Sequence, residues 1–140
     1  MGPPDRFIAL EVAWSLHGTP YIWGGDDPSG LDCSGLVIEI LKSDGTLPRR
    51  GDWTANDLWV KWREARTERP DLGCLAFWFR GGRATHVEFC IDRDHTIGAS
   101  GGGRRTIDAQ SAAEQNAYVK VRPRKPGAVV VDPYSLDRAP

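Results

Sequence analysis

The sequence predicts an α+β domain. Helical periodicity is confined to the first half of the chain. From residue 74 the character changes to short β-rich runs, and glycine-rich turns separate those runs. A chain of 140 residues has the usual size of one domain. A single unit over 1–140 is expected, with an ordered part of about 5–122 and an irregular tail at 123–140.

The first helix is predicted over 5–16, with Ile8, Val12 and the Ala9/Ala13 pair on one face. "HGTP" ends it, with Gly18 as the stop and Pro20 as the breaker. Residues 21–32 read as a loop whose turn formers are Gly24, Gly25, Pro28, Ser29 and Gly30. A second helix follows over about 33–43. Cys33, Leu36, Val37, Ile40 and Leu41 recur at the spacing of one buried face, Asp32 is the natural N-cap, and Gly45 is the stop. A third helix is predicted over about 54–66, anchored by Trp53, Leu58 and Trp62.

"CLAFWFR" (74–80) and "THVEFCI" (85–91) then flank "GGRA", which is a hairpin signature. "TIGAS" (96–100) reads as a third strand, 105–115 as a turn with a short helix, and "AYVKVRP" (117–123) as a further strand closed by Pro123. In the tail only "AVVV" (128–131) is apolar. There are no repeats and no low-complexity tract.

Composition excludes several function classes. Net charge is -1 and the pI is near 6.3, which argues against a nucleic-acid protein. No apolar run is long enough to cross a membrane. "MGPPDRFIAL" carries no basic stretch followed by an apolar one, so no secretory signal is expected. Three cysteines cannot all pair with one another, and no CxxC or HxxxH spacing suggests zinc. Six tryptophans are mostly expected to pack, with a few available to line a groove.

Cys33 is the residue that calls for an explanation. A thiol at a helix N-terminus faces unpaired backbone N–H groups and the positive end of the helix dipole. Both favour the thiolate. The same N–H groups are suited to hold a developing oxyanion. A buried structural cysteine at the start of a helix face is the plainer reading of the same position. In "ATHVEFCID", period two puts His86, Glu88 and Cys90 on one face, with Val87, Phe89 and Ile91 on the core face. A histidine at a strand start is often structural, but beside Cys33 it would complete a thiolate–imidazolium pair.

"YIWGG", "GLDCSGLV" and "HVEFCI", in that order, resemble the NlpC/P60 family of cell-wall cysteine peptidases. The resemblance covers roughly residues 5–122, and the compound motif is specific where each part alone is weak. It implies a minimal papain-like fold and hydrolysis of an amide in the peptidoglycan stem peptide, often the bond from γ-D-glutamate to a diamino acid, without metal or cofactor. It implies Cys33 as nucleophile and His86 as general base and then acid. Tyr21 would place its hydroxyl near the thiol. Asp32 and Ser34 would flank the nucleophile and contact substrate, although Asp32 also has its plain role as an N-cap. The stem peptide is the implied partner. The segments "HVEFC", "IGASGGG" and "AYVKVRP" look like such domains from phages and prophages, for which a virion, release, or delivery as an effector would carry the enzyme to the wall.

The sequence departs from the family at one position. The family usually orients the histidine with a polar residue on the next strand, and here Gly98 stands there. A backbone carbonyl or a water is the first substitute, then Glu88, with His95 and Ser100 as further candidates. Glu88 stands where the family has a small residue, so it is also expected to line the groove and contact substrate. Arg104 and Arg105, in a glycine-rich loop, are candidates to bind substrate carboxylates or simply to be solvated. If the hairpin turns about Gly82, Cys74 and Cys90 lie opposite each other as two reduced, buried thiols. Two other readings stand beside the peptidase: an inactive wall-binding or phage-tail module, which Gly98 would favour, and a related cysteine amidase or acyltransferase acting on another amide.

Overall fold

A computed structural model describes residues 3–27, 30–51 and 53–136. Helix α1 runs Pro3–Ser15. Its buried residues are Ala9 and Ala13, continued by Leu16 just past its end, while Ile8 and Phe7 face solvent. The expected face therefore turns: the two alanines, not Ile8, make the contact, and their small side chains let α1 lie close against the core. After Tyr21, two-residue strands β1 (Asp26–Asp27) and β2 (Gly30–Leu31) pair within the segment expected to be loop. Pro28 and Ser29, expected in its turn, lie outside the described residues.

Helix α2 runs Cys33–Ser43 and is the central element. Gly35, Leu36, Val37, Ile38, Ile40 and Leu41 are all buried, so the helix is apolar nearly all round, as a helix enclosed by its neighbours must be. Helix α3 (Ala55–Trp62) starts with a reciprocal cap between Thr54 and Asp57. It gives way to a 3₁₀ turn at Arg63–Ala65 rather than continuing as α-helix to 66.

A five-stranded antiparallel sheet follows. It is built from β3 (Leu75–Arg80), β4 (Arg83–Cys90), β5 (His95–Ser100), β6 (Tyr118–Pro123) and β7 (Val129–Val131), in the order β6-β5-β4-β3-β7. A short helix α4 (Ala109–Gln115) links β5 to β6, and α5 (Pro133–Leu136) closes the described chain. The β3–β4 turn uses Gly81 and Gly82, both at positive φ (61° and 76°), which is the two-residue hairpin geometry that glycine adopts without steric cost. One sheet face joins the helices in the main core through Phe77, Val87, Phe89 and Ile97. The other holds a smaller cluster of Cys74, Ala76, Cys90 and Val130. Cys74 and Cys90 face each other across the ladder, with the Cys90 N–H on the Cys74 carbonyl at 2.8 Å, and both thiols are free and buried.

The expected irregular tail is corrected here. Residues 129–131 pair with β3, and Tyr134 is 2% exposed, with its hydroxyl on the Asp44 carboxylate at 2.5 Å and its ring under the Arg6 guanidinium. A three-residue valine run among prolines carries no alternation to reveal its partner, which lies more than fifty residues away in sequence. The consequence is testable. Tyr134→Ala empties a core position and is expected to lower unfolding free energy by about 3 kcal/mol in urea denaturation. A change within about 0.5 kcal/mol, usual for surface substitutions, would return the tail to the status of an appendage.

Candidate active site

Cys33 is the first residue of α2, where the helix N–H groups have no carbonyl one turn earlier. The Asp32 carboxylate caps the helix, its Oδ1 accepting the Gly35 N–H at 2.7 Å and the Ser34 hydroxyl at 3.3 Å. The glycine at 35 is needed for space. A Cβ there would sit 2.2 Å from the Gly25 carbonyl oxygen and 2.9 Å from the Asp32 carboxylate. The "DCSG" and "GG" segments therefore interlock, and the interlock fixes the height at which Cys33 leaves the helix end.

His86 comes from β4. The β3–β4 register shifts next to it: Trp78 pairs with His86, but Phe79 pairs with Ala84, leaving Thr85 as the extra residue of a β-bulge. A bulge re-aims the neighbouring side chain. The His86 ring lies against Trp78 at 5.4 Å between centroids, and Trp78 is itself held by its indole N–H on the Pro126 carbonyl at 3.0 Å. Nε2 of His86 is 2.7 Å from Glu88 Oε2, which leaves Nδ1 as the nitrogen available to Cys33. Burial disfavours the imidazolium, but hydrogen bonding with Cys33 and with Glu88 outweighs it and holds the His86 pKa at about 9.

Glu88 does not line the groove. It is 0% exposed. Its Oε1 accepts the Thr96 hydroxyl at 2.6 Å, and its Oε2 is shared by His86 and the Arg122 guanidinium, the latter at 2.9 Å. Burial again works against the charge. Hydrogen bonds from His86 and Thr96, the charge of His86 and the bond from Arg122 prevail and bring the carboxyl pKa down to about 2. The expectation that Glu88 contacts substrate is thus corrected: two residues beyond His86 on one strand, it shares the face of His86 and is covered by β5 and β6.

Tyr21 closes the third side. It is buried, and burial, followed by the charges of Cys33 and Asp32, pushes its hydroxyl up to about 12. It therefore remains a donor at any working pH. Gly102 packs against its ring, since a Cβ there would fall 2.3 Å from Tyr21 Cδ1. Tyr21, Cys33 and His86 open together into one cleft of about 860 Å³, which Asp32 and Ser34 also line. Among the described residues, Arg83, Arg104, Lys125 and the Glu88-paired Arg122 surround the same space, with Asp32 as the acidic side chain. Arg104 lies over the exposed Trp23 ring at 5.9 Å.

The NlpC/P60 family profile matches residues 18–123, which hold all of these groups except Lys125. The chain belongs to the NlpC/P60 family. It is 34% identical over 125 residues to murein DD-endopeptidase MepH of Escherichia coli, covering 82% of this chain and 44% of that protein. It is 30% identical over 107 residues to the bifunctional muramidase/DL-endopeptidase CwlT of Bacillus subtilis, covering 73% and 31%. Among solved structures it is similar to the NlpC/p60 domain of peptidoglycan hydrolase SagA, with 26% identity, a TM-score of 0.61, and 91% and 97% of the two chains covered. The peptidoglycan hydrolase RipB of Mycobacterium tuberculosis also aligns, with 26% identity, a TM-score of 0.68, and 91% and 64% covered. The chain spans less than half the length of either curated relative.

Of the residues singled out in the sequence, Tyr21, Asp32, Cys33, Ser34 and His86 meet at the cleft. His95 does not; at the start of β5 it pairs with Asp92 of the preceding turn. Ser100 lines the cleft but its buried hydroxyl has no partner among the described residues, so it does not bond His86. Thr96, Arg122, Gly102 and Trp78 carry no signal in the sequence, because their roles rest on cross-strand neighbours. The charge pattern predicts a stability profile. His86 binds its proton more tightly folded than unfolded, so its contribution is full below pH 6.5 and is lost as pH rises to about 9. Glu88 gives up its proton more readily folded, so its contribution is full above pH 4.5 and is lost as pH falls toward 2. Urea denaturation should show stability falling as pH rises from 6.5 to about 9, with that fall absent in His86→Ala. A wild-type profile flat across this interval contradicts the assignment.

Proposed function

We propose that this chain is a cysteine peptidase of peptidoglycan stem peptides, cutting the amide between γ-D-glutamate and the diamino acid. The observation that carries the reading is that Cys33, at a helix N-terminus, and His86, whose proton affinity the neighbouring thiol raises, line one open cleft. The names of the relatives support the wall as substrate: DD-endopeptidase, DL-endopeptidase and peptidoglycan hydrolase. The excess of cations around the cleft supports the particular bond, because its acyl donor carries a free α-carboxylate beside the scissile amide.

The Cys33 sulfur, as thiolate, attacks the amide carbon, and the carbonyl oxygen becomes an oxyanion. The Cys33 and Ser34 N–H groups at the head of the helix would hold it, with the Tyr21 hydroxyl as a further donor. His86 gives its Nδ1 proton to the leaving amine as the C–N bond breaks, which leaves a thioester on Cys33 and a neutral imidazole. A water then loses its proton to Nδ1 and attacks the thioester. The acid departs, and the thiolate–imidazolium pair is restored. Oxidation of the thiolate stops the cycle, so a reductant sustains activity.

Incubation with defined muropeptides followed by mass spectrometry tests the reading. Cleavage is expected to give L-alanyl-γ-D-glutamate ends and peptides beginning with the diamino acid, with no product from Cys33→Ala. Tyr21→Phe is expected to lower kcat by about 100-fold with KM little changed, the cost of one oxyanion donor. An unreactive wild type, or products that persist in Cys33→Ala, would sink the reading. Clean cleavage at a different amide would move the chain to another specificity.

A further inference from the structure

The cleft accounts for one nitrogen of His86 and leaves open what fixes the other. We propose that Glu88 is the positioning residue of His86, and that Gly98 on the neighbouring strand is the vacancy that lets it act. The inference rests on His86 being the base of the proposed reaction.

Glu88 and His86 are two apart on β4, so their side chains stand on the same side of the sheet. The ladder between β4 and β5 pairs Phe89 with Ile97 and Cys90 with Thr96. Gly98 lies just beyond, and the Glu88 side chain fills the space above it. A Cβ at 98 would sit 2.6 Å from Glu88 Cγ, 2.7 Å from Cδ and 2.7 Å from Oε2. None of these atoms is a free chain end. Oε1 is tied to Thr96 and Oε2 to Arg122, while Thr96 and Arg122 are themselves cross-strand partners on β5 and β6. Any side chain at 98 must therefore either displace the carboxylate or break its ties.

The arrangement fixes more than position. A carboxylate accepts hydrogen bonds and does not donate them, so Glu88 sets Nε2 of His86 as the protonated nitrogen. Nδ1 is then the nitrogen that exchanges a proton with the thiol and the leaving group. The charged and titratable groups around the pair are Cys33 from α2, Arg122 from β6 and Cys90 further along β4, with Thr96 as the neutral donor from β5. His86 and Thr96, and after them Arg122, keep Glu88 ionised, and Cys33 and Glu88 together keep His86 protonated, so Arg122 reaches His86 through two hydrogen bonds.

The test is an NMR titration of ¹⁵N-labelled His86 together with steady-state hydrolysis of a stem peptide. In Glu88→Gln the His86 pKa is expected to fall by more than one unit, and kcat by at least tenfold with KM within threefold. Gly98→Ala retains every charge but pushes the carboxylate aside, and is expected to move both readouts the same way. It also serves if Glu88→Gln does not fold, with circular dichroism reporting folding in each case. Glu88→Ala/Gly98→Asn returns a polar group from the other strand and is expected to recover at least tenfold in kcat over Glu88→Ala. An unchanged His86 titration in Glu88→Gln overturns the role of Glu88, and a double variant no better than Glu88→Ala overturns the role of Gly98. The titration needs no substrate. A wild type that titrates as described but hydrolyses no stem peptide would sink the proposed function and leave this inference standing.

Discussion

A carboxylate taken out of water costs several kcal/mol unless its charge is matched and its oxygens are bonded. Glu88 meets that condition with three partners from three places: His86 on its own strand, Thr96 on β5 and Arg122 on β6. The sheet must hold its register for all three to coincide. A one-residue slip of β5 or β6 would turn Thr96 or Arg122 to the other face and leave a bare charge in the interior. The geometry of the cleft therefore depends on a buried ion network rather than on the cleft walls. Cys33 and, after it, the same network explain why the histidine, one-quarter exposed on the side facing the cleft, keeps its proton although burial opposes it.

The two halves of the chain divide the chemistry between them. The helical half presents Cys33 at a helix end, where backbone N–H groups and dipole favour negative charge. The sheet half presents His86 with its orientation set from behind. The proposed reaction needs both halves. Their relative placement comes from the packing of α2 on β4 and β5, and from close approaches that glycines permit. Gly35 admits the Gly25 carbonyl to the helix start, and Gly102 admits the Tyr21 ring to the cleft floor. The bulge at Thr85 completes the placement by breaking alternation one residue before His86.

Much of this was legible in the sequence, and the parts that were not share one cause. The helix starting at Cys33 declared itself through Asp32 and an apolar face, and the β3–β4 hairpin through its paired glycines. Cys33, His86 and Tyr21 stood out because their motif is local. Glu88 was misplaced because its environment is set by residues 8 and 34 positions away, and period two says only which face it shares. Gly98 read as a missing side chain, when in space it is the room occupied by another. Strand β7 was missed for a related reason: three valines show no period, and their pairing with β3 is long-range. The exposed face of α1 differs because two alanines, not the larger Ile8, make the closest packing.

The central claim is that Cys33 and His86 act as one ion pair in a shared cleft. The most direct measurement is the rate of Cys33 alkylation by iodoacetamide as a function of pH, in wild type and in His86→Ala, with Cys33→Ala as the blank for the two buried thiols. The account predicts rapid alkylation persisting at pH 6 in wild type and a loss of at least tenfold at that pH in His86→Ala. Equal rates in the two proteins, each rising only toward the ordinary thiol range of about 8.5, would contradict it.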